Sequence, residues 1–150
     1  MTTDAWLAIA HNLAIFGVFA VLVAEWTIVR PGIDAADVHR LGRVDAAYGA
    51  LAALVLAAGV TRVAWGAKPA DFYLENPVFW FKMAAFATVG ILSIRPTIRY
   101  LGWRKALDSD AGVLPAAAEV GSARRAIHVQ LAVFTAIPAL AALMARGIGL

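Results

Sequence analysis

The stretch from Asn76 to Lys105, NPVFWFKMAAFATVGILSIRPTIRYLGWRK, restricts the chain more than any other. It opens with Asn76, an N-cap residue type, and Pro77 at the first helical position, where a missing N–H is harmless. The apolar run that follows is long enough to cross the hydrocarbon core of a bilayer, which takes roughly 20 residues. One cation, Lys82, stands near its start, and Arg95, Arg99, Arg104 and Lys105 close it. A lysine just inside a membrane helix costs roughly 3 kcal/mol unless it snorkels or finds a partner. This one segment predicts a membrane span, its orientation and a candidate functional residue.

Three more apolar segments accompany it, so that residues 6–29, 46–65, 77–98 and 126–144 each approach spanning length. A mean hydropathy of +0.76 excludes an ordinary soluble domain of this size. No segment alternates as a membrane β-strand does. The expectation is an all-α polytopic protein, a four-helix transmembrane bundle, with residues 1–150 as one domain. The absence of cysteine removes disulfides, thiol nucleophiles and thiolate metal sites. The first segment lacks a basic leader and outruns a signal-peptide core, so it is expected to be retained.

The sequence pI of 9.7 raises the question of nucleic acid, but the placement of the charges answers it differently. Arg30, Arg40, Arg43, Arg95, Arg99, Arg104, Lys105, Arg124 and Arg125 fall on one side of the spans. Only Arg62, Lys68, Lys82 and Arg146 fall on the other. The positive-inside rule then predicts both termini outside and both basic connections in the cytoplasm, with the bilayer as partner and no nucleic acid.

Along the chain, Asp4 is a candidate cap for the first helix. His11 and Glu25 are two heptads apart, so one inward face carries both. Arg30-Pro31-Gly32 stops that helix. Residues 34–44 read as a cytoplasmic extension of the second helix, with His39 solvated. Gly49, Ala53 and Ala57 form a small-residue ridge that suits close helix packing, and such faces are compatible with a homodimer. Tyr48 and Arg62 share a second face. Around the loop GAKPADFYLENP, Trp65, Phe72, Tyr73, Phe79, Trp80 and Phe81 read as an interfacial belt, or as walls for a flat apolar ligand. Pro96 predicts a kink in the third span. The fourth begins around Ser122 and contains His128, Gln130, Thr135 and Pro138.

Two constellations bear on chemistry. His11 lies roughly 9 Å inside the first span and Lys82 roughly 7.5 Å inside the parallel third span, at 1.5 Å per residue. Arg62 of the second span is close to the same level. An imidazole flanked by two cations suits a porphyrin, the nitrogen ligating iron and the cations pairing propionates. Hydrogen bonding between helices is the bland reading of His11, and snorkelling that of Lys82. The opposite end groups Glu25, Arg43, Asp45, Arg95, Arg99 and His128. A structural ion-pair network is the favoured reading there, with a proton path or anion site as the sharper one. His11 and His128 are too far apart to hold one haem between them. No phosphate loop, HExxH pair or Ser-His-Asp order stands out.

The runs AEWTIVRPGIDAADVHRLGRVDAAYG and FYLENPVFWFKMAAFATVGILSIRPTIRYLGWRKAL resemble a bacterial membrane-protein family catalogued as a domain of unknown function. That resemblance covers nearly the whole chain and implies a multi-pass protein of the bacterial inner membrane. More distantly, the layout resembles the HemJ-type protoporphyrinogen oxidases, with His11 and the FWFK lysine, Lys82, at matching positions. It implies haem b on His11, iron being the metal, and a porphyrinogen substrate near Lys82. The end of the first span differs, VLVAEWTIVRPG standing where those proteins carry an aromatic, Gly-rich stretch. The functional expectation is therefore a haem-type redox site in the outer half, oxidising a porphyrin- or quinol-like molecule, with Lys82 and Arg62 catalytic and His11, Arg62 and Lys82 holding the cofactor. A non-enzymatic assembly or transport accessory, without cofactor, is the other class.

Overall fold

The computed structural model describes residues 3–109 and 112–149, with the side chains of Thr3 and Asp4 excepted. The cap expected at Asp4 therefore lies outside the described residues. Helix α1 spans Thr3–Ile28, α2 Ala35–Trp65, α3 Ala70–Leu74, α4 Pro77–Leu107 and α5 Ala117–Ala145. Four of these, all but α3, are long and apolar enough to cross a membrane.

Local sequence explains where the helices begin and end. Asn76 accepts a hydrogen bond from the Val78 N–H at 2.8 Å, with Pro77 in the first turn of α4. Asp34 caps α2 in the same way, accepting from the Asp37 N–H at 2.8 Å. The reversal between α1 and α2 passes through Gly32, whose φ of +79° is one that few other residues adopt. α2 and α4 have 31 residues each. At 1.5 Å per residue that is about 46 Å, well beyond the ~30 Å hydrocarbon core. The surplus is the charged first turns of α2 and the Arg-rich last turns of α4, so the extension expected at residues 34–44 is continuous helix. α4 also runs on through Pro96, whose missing N–H leaves the Leu92 carbonyl without its helical donor.

The spans form a ring of antiparallel neighbours in the order α1, α2, α4, α5. The α1–α2 and α4–α5 hairpins pack most extensively, and the α2/α4 and α1/α5 seams close the ring more loosely. One end of the bundle carries the two hairpin connections and the nine cations named above, and is called the basic end below. The other, the terminal end, carries both chain termini and α3. Three apolar clusters fill the interior. Ile28, Leu41, Tyr100, Trp103 and Ile127 centre the first, at the basic end. Ala14, Val18, Leu22, Val55, Val89 and Phe134 form the second, at mid-height. Tyr73, Phe79 and Met144 form the third, at the terminal end.

The sequence reading missed α3, a five-residue turn of helix that folds the connection back onto α4. Trp80 fixes it by donating its indole N–H to the Leu74 carbonyl at 2.9 Å. The aromatics of this region divide accordingly. Tyr73 and Phe79 are core, while Trp65, Trp80 and Phe81 stay exposed, as interfacial belt residues do.

Candidate functional site

The heptad spacing that placed His11 and Glu25 on one face holds in the structure, where Ala14, Val18 and Leu22 complete a buried stripe between them. His11 is half-buried and turned towards α2. Its Nδ1 lies 3.1 Å from the Val55 carbonyl oxygen. A carbonyl only accepts, so Nδ1 is the donor, and in the neutral ring the lone pair is on Nε2. Gly59 makes this approach feasible: a Cβ there would lie 3.3 Å from His11 Cε1. Lys82 and Arg62 both lie within electrostatic range of the imidazole and of each other. Lys82 Nζ also sits 5.2 Å from the centre of the Phe79 ring. The structure thus brings together His11, Arg62 and Lys82 from three helices at the terminal end. Gly59 joins them, and its only sequence signal was a glycine one turn from Val55.

A second arrangement lies nearer the basic end, between the first two apolar clusters. Glu25 and Gln130 are 2% and 1% exposed. Glu25 Oε1, the Tyr100 hydroxyl and both side-chain polar atoms of Gln130 have no hydrogen-bond partner among the described residues. Asp45 is within electrostatic range of Glu25, and its Oδ1 accepts a hydrogen bond from the Thr97 hydroxyl at 2.8 Å. Tyr48 meets Ser93 one turn further in. Asp45, Tyr48, Ser93 and Thr97 form the polar end of a cavity of about 480 Å³ between α2 and α4, whose other walls include Ala53, Leu56, Phe86, Val89 and Phe134.

With the spans and their polar residues placed, similarity to known proteins can be stated. A family model described as a predicted membrane protein, DUF2214, matches residues 3–149. The chain belongs to the DUF2214 family. No curated protein and no solved structure matches it.

Two expectations change for this DUF2214 protein. The ion-pair network foreseen for Glu25, Arg43, Asp45, Arg95, Arg99 and His128 does not form among the described residues, because the arginines have other partners or stay exposed. Arg99 donates to Ser122 Oγ at 2.9 Å. Arg43 and Arg95 are exposed. His128 is exposed too, and its Nε2 accepts the Trp26 indole N–H at 2.8 Å. The outlying Arg124 donates to the Trp26 and Val29 carbonyls at the end of α1. Ion pairing at this end is found at its rim instead, where Arg30 meets Asp37 at 3.0 Å. His39, expected to be solvated, has its Nε2 3.6 Å from Asp108 Oδ1. The second change concerns the small-residue ridge. Gly49 and Ala53 line the cavity, and a Cβ on Gly49 would meet nothing within 4 Å, so no helix of this chain packs there.

Proposed function

We propose that the protein is a membrane-embedded redox protein whose terminal-end site binds a b-type haem through His11. The observation that carries the reading is the fixed tautomer of His11 beside two cations. A histidine that ligates a metal commonly donates its other ring N–H to a carbonyl or carboxylate, as His11 does to Val55. Nε2 is then the ligating nitrogen, and Gly59 leaves the ring room to be held against α2. His11 would supply one nitrogen ligand and the two cations two anion contacts. Lys82 and Arg62 would pair the carboxylates of the cofactor or orient those of a substrate, charge-assisted bonds being strong in a low dielectric. When bound, haem would supply one-electron redox chemistry. The substrate class is porphyrinogen-like or quinol-like, reached from the membrane. The nine cations of the basic end favour its placement in the cytoplasm of a bacterium, with both termini across the inner membrane.

The test is spectroscopic. Protein purified from haem-replete cells should show a Soret band, and His11→Ala should abolish it while the protein still inserts. Lys82→Ala should keep most of the haem and lower activity, whereas His128→Ala should leave the spectrum unchanged. A normal Soret band in His11→Ala would remove His11 as the ligand. A colourless wild type would favour the cofactor-free accessory reading, in which the His11–Val55 bond serves only to hold α1 against α2.

A further inference from the structure

We propose that the groove between α2 and α4 is a binding site for a hydrophobic organic cation that enters from the lipid, with Asp45 and Glu25 as its counter-charges. The inference does not depend on the haem reading, since none of the residues it uses belongs to the terminal-end site.

Four observations converge on it. First, the cavity is of small-molecule size: about 480 Å³ falls in the range of ligand pockets. Second, its lipid-facing side carries two glycines and small alanines beside the exposed Leu56. Gly49 and Gly90 are exposed and have open space where a Cβ would stand, and α2 and α4 meet along one of the two looser seams of the ring. A molecule dissolved in the bilayer meets no bulky side chain at these two positions.

Third, the acidic side chains at this end of the groove have no cationic partner among the described residues. Asp45 forms part of the cavity wall, and Glu25, which does not line it, is within electrostatic range of Asp45 with Oε1 buried and unpartnered. Neither carboxylate has an ion-pair partner among the described residues, because Arg30 and Arg40 serve Asp37, Arg104 serves Asp108, and Arg99 and Arg124 donate to neutral oxygens. Two neighbouring carboxylates at the edge of the hydrocarbon are stabilised most by a positive charge.

Fourth, the remaining walls decide which positive charge. A small inorganic cation asks for a shell of oxygens, and beside Asp45 the lining offers only the hydroxyls of Tyr48, Ser93 and Thr97, which are already engaged with Asp45 or with each other. The walls instead present the rings of Tyr48, Phe86 and Phe134 among aliphatic side chains. Aromatic faces attract organic cations, and the attraction grows when water is excluded. The polar groups all lie at the basic-end limit of the groove, so the charged head would sit near headgroup depth with its apolar part between the helices.

Tetraphenylphosphonium and tetraphenylborate are matched in shape and opposite in charge, which makes them suitable probes. Titration calorimetry on the full chain in phosphatidylcholine nanodiscs, with empty nanodiscs as baseline, should show saturable binding of tetraphenylphosphonium, one per chain. Tetraphenylborate should show only partition into lipid. Asp45→Asn and Glu25→Gln should each weaken binding by about tenfold or more, as loss of a desolvated charge partner does. Gly49→Leu, which fills the mouth and leaves both carboxylates in place, should abolish it. Gly102→Leu, placed at an exposed glycine outside the cavity lining, should bind as the wild type does. Phosphonium uptake no greater than that of empty nanodiscs would overturn the proposal and leave the carboxyls as a proton-sharing pair. Unchanged binding in both carboxylate variants would equally overturn it.

Discussion

Arg124→Ala should destabilise the bundle by about 2–3 kcal/mol, a figure that follows from what the guanidinium touches. Helix α1 ends at Ile28; its Glu25 carbonyl still takes the Val29 N–H at 2.8 Å, but the carbonyls beyond it lack helical donors. Arg124 Nη1 donates to two carbonyls in this region, Trp26 at 2.7 Å and Val29. Its guanidinium also lies 4.3 Å from the centre of the Trp26 ring. A hydrogen bond to a charged group contributes about 1.5–3 kcal/mol. Here one nitrogen serves two carbonyls and the side chain is only partly buried, so the pair counts at about 1.5–2 kcal/mol. The cation over the indole adds about 0.5–1 kcal/mol. Arg124→Lys should recover roughly half, because the charge at the helix end survives while the stacking plane is lost. The neighbouring Arg125 is exposed, and Arg125→Ala should stay within about 0.5 kcal/mol of wild type. Reversible unfolding in mixed micelles by added dodecyl sulfate, followed by near-ultraviolet circular dichroism, ranks the three. If Arg124→Ala and Arg125→Ala unfold together, water at the interface already satisfies the α1 carbonyls and the reasoning fails.

Asn76→Ala should cost about 1–2 kcal/mol in the same assay, since Asn76 is fully buried, caps α4 and donates to the Ile148 carbonyl at 3.3 Å. Gly17→Ala should be close to neutral: the helix gains about 0.5–1 kcal/mol, and the new Cβ meets Leu51 at 3.1 Å and gives most of it back. Gly49→Ala meets open space and should keep that gain, so equal stabilities of the two variants would refute the packing described for α1 against α2. A reporter active only in the cytoplasm should give no signal after Leu150 and a signal when inserted after Val113; the reverse pattern would invert the orientation.

The spans were legible because each is an apolar run of membrane length, and the start of α4 because Asn-Pro is both cap and first turn. The convergence of His11, Lys82 and Arg62 was also readable, since residue count along parallel and antiparallel helices fixes depth. Helix α3 left no such trace: five residues are too few for a period, and its anchor, the Trp80–Leu74 bond, joins residues that the pattern gave no reason to pair. The groove was hidden for another reason. A ridge of Gly49, Ala53 and Ala57 looks the same whether a helix packs into it or an opening borders it, and the position of α4 decides. At the basic end, equal depth suggested that arginines and carboxylates would pair. Helix facing governed the outcome, directing Arg99 and Arg124 to neutral oxygens and leaving Glu25 and Asp45 with each other.

The unequal packing of the ring bears on how such a protein is made. α1 and α2 are synthesised first and share their largest interface with each other, so that hairpin needs nothing downstream to bury its own seam. α4 and α5 repeat the arrangement. Each hairpin thus holds most of its interface within itself, and the two looser seams are the ones that need both halves present. Glu25 and Asp45 belong to the first half, while Thr97 and Tyr100 arrive with the second. The meeting of the halves is therefore also what brings Asp45 its hydrogen-bond donor, the Thr97 hydroxyl.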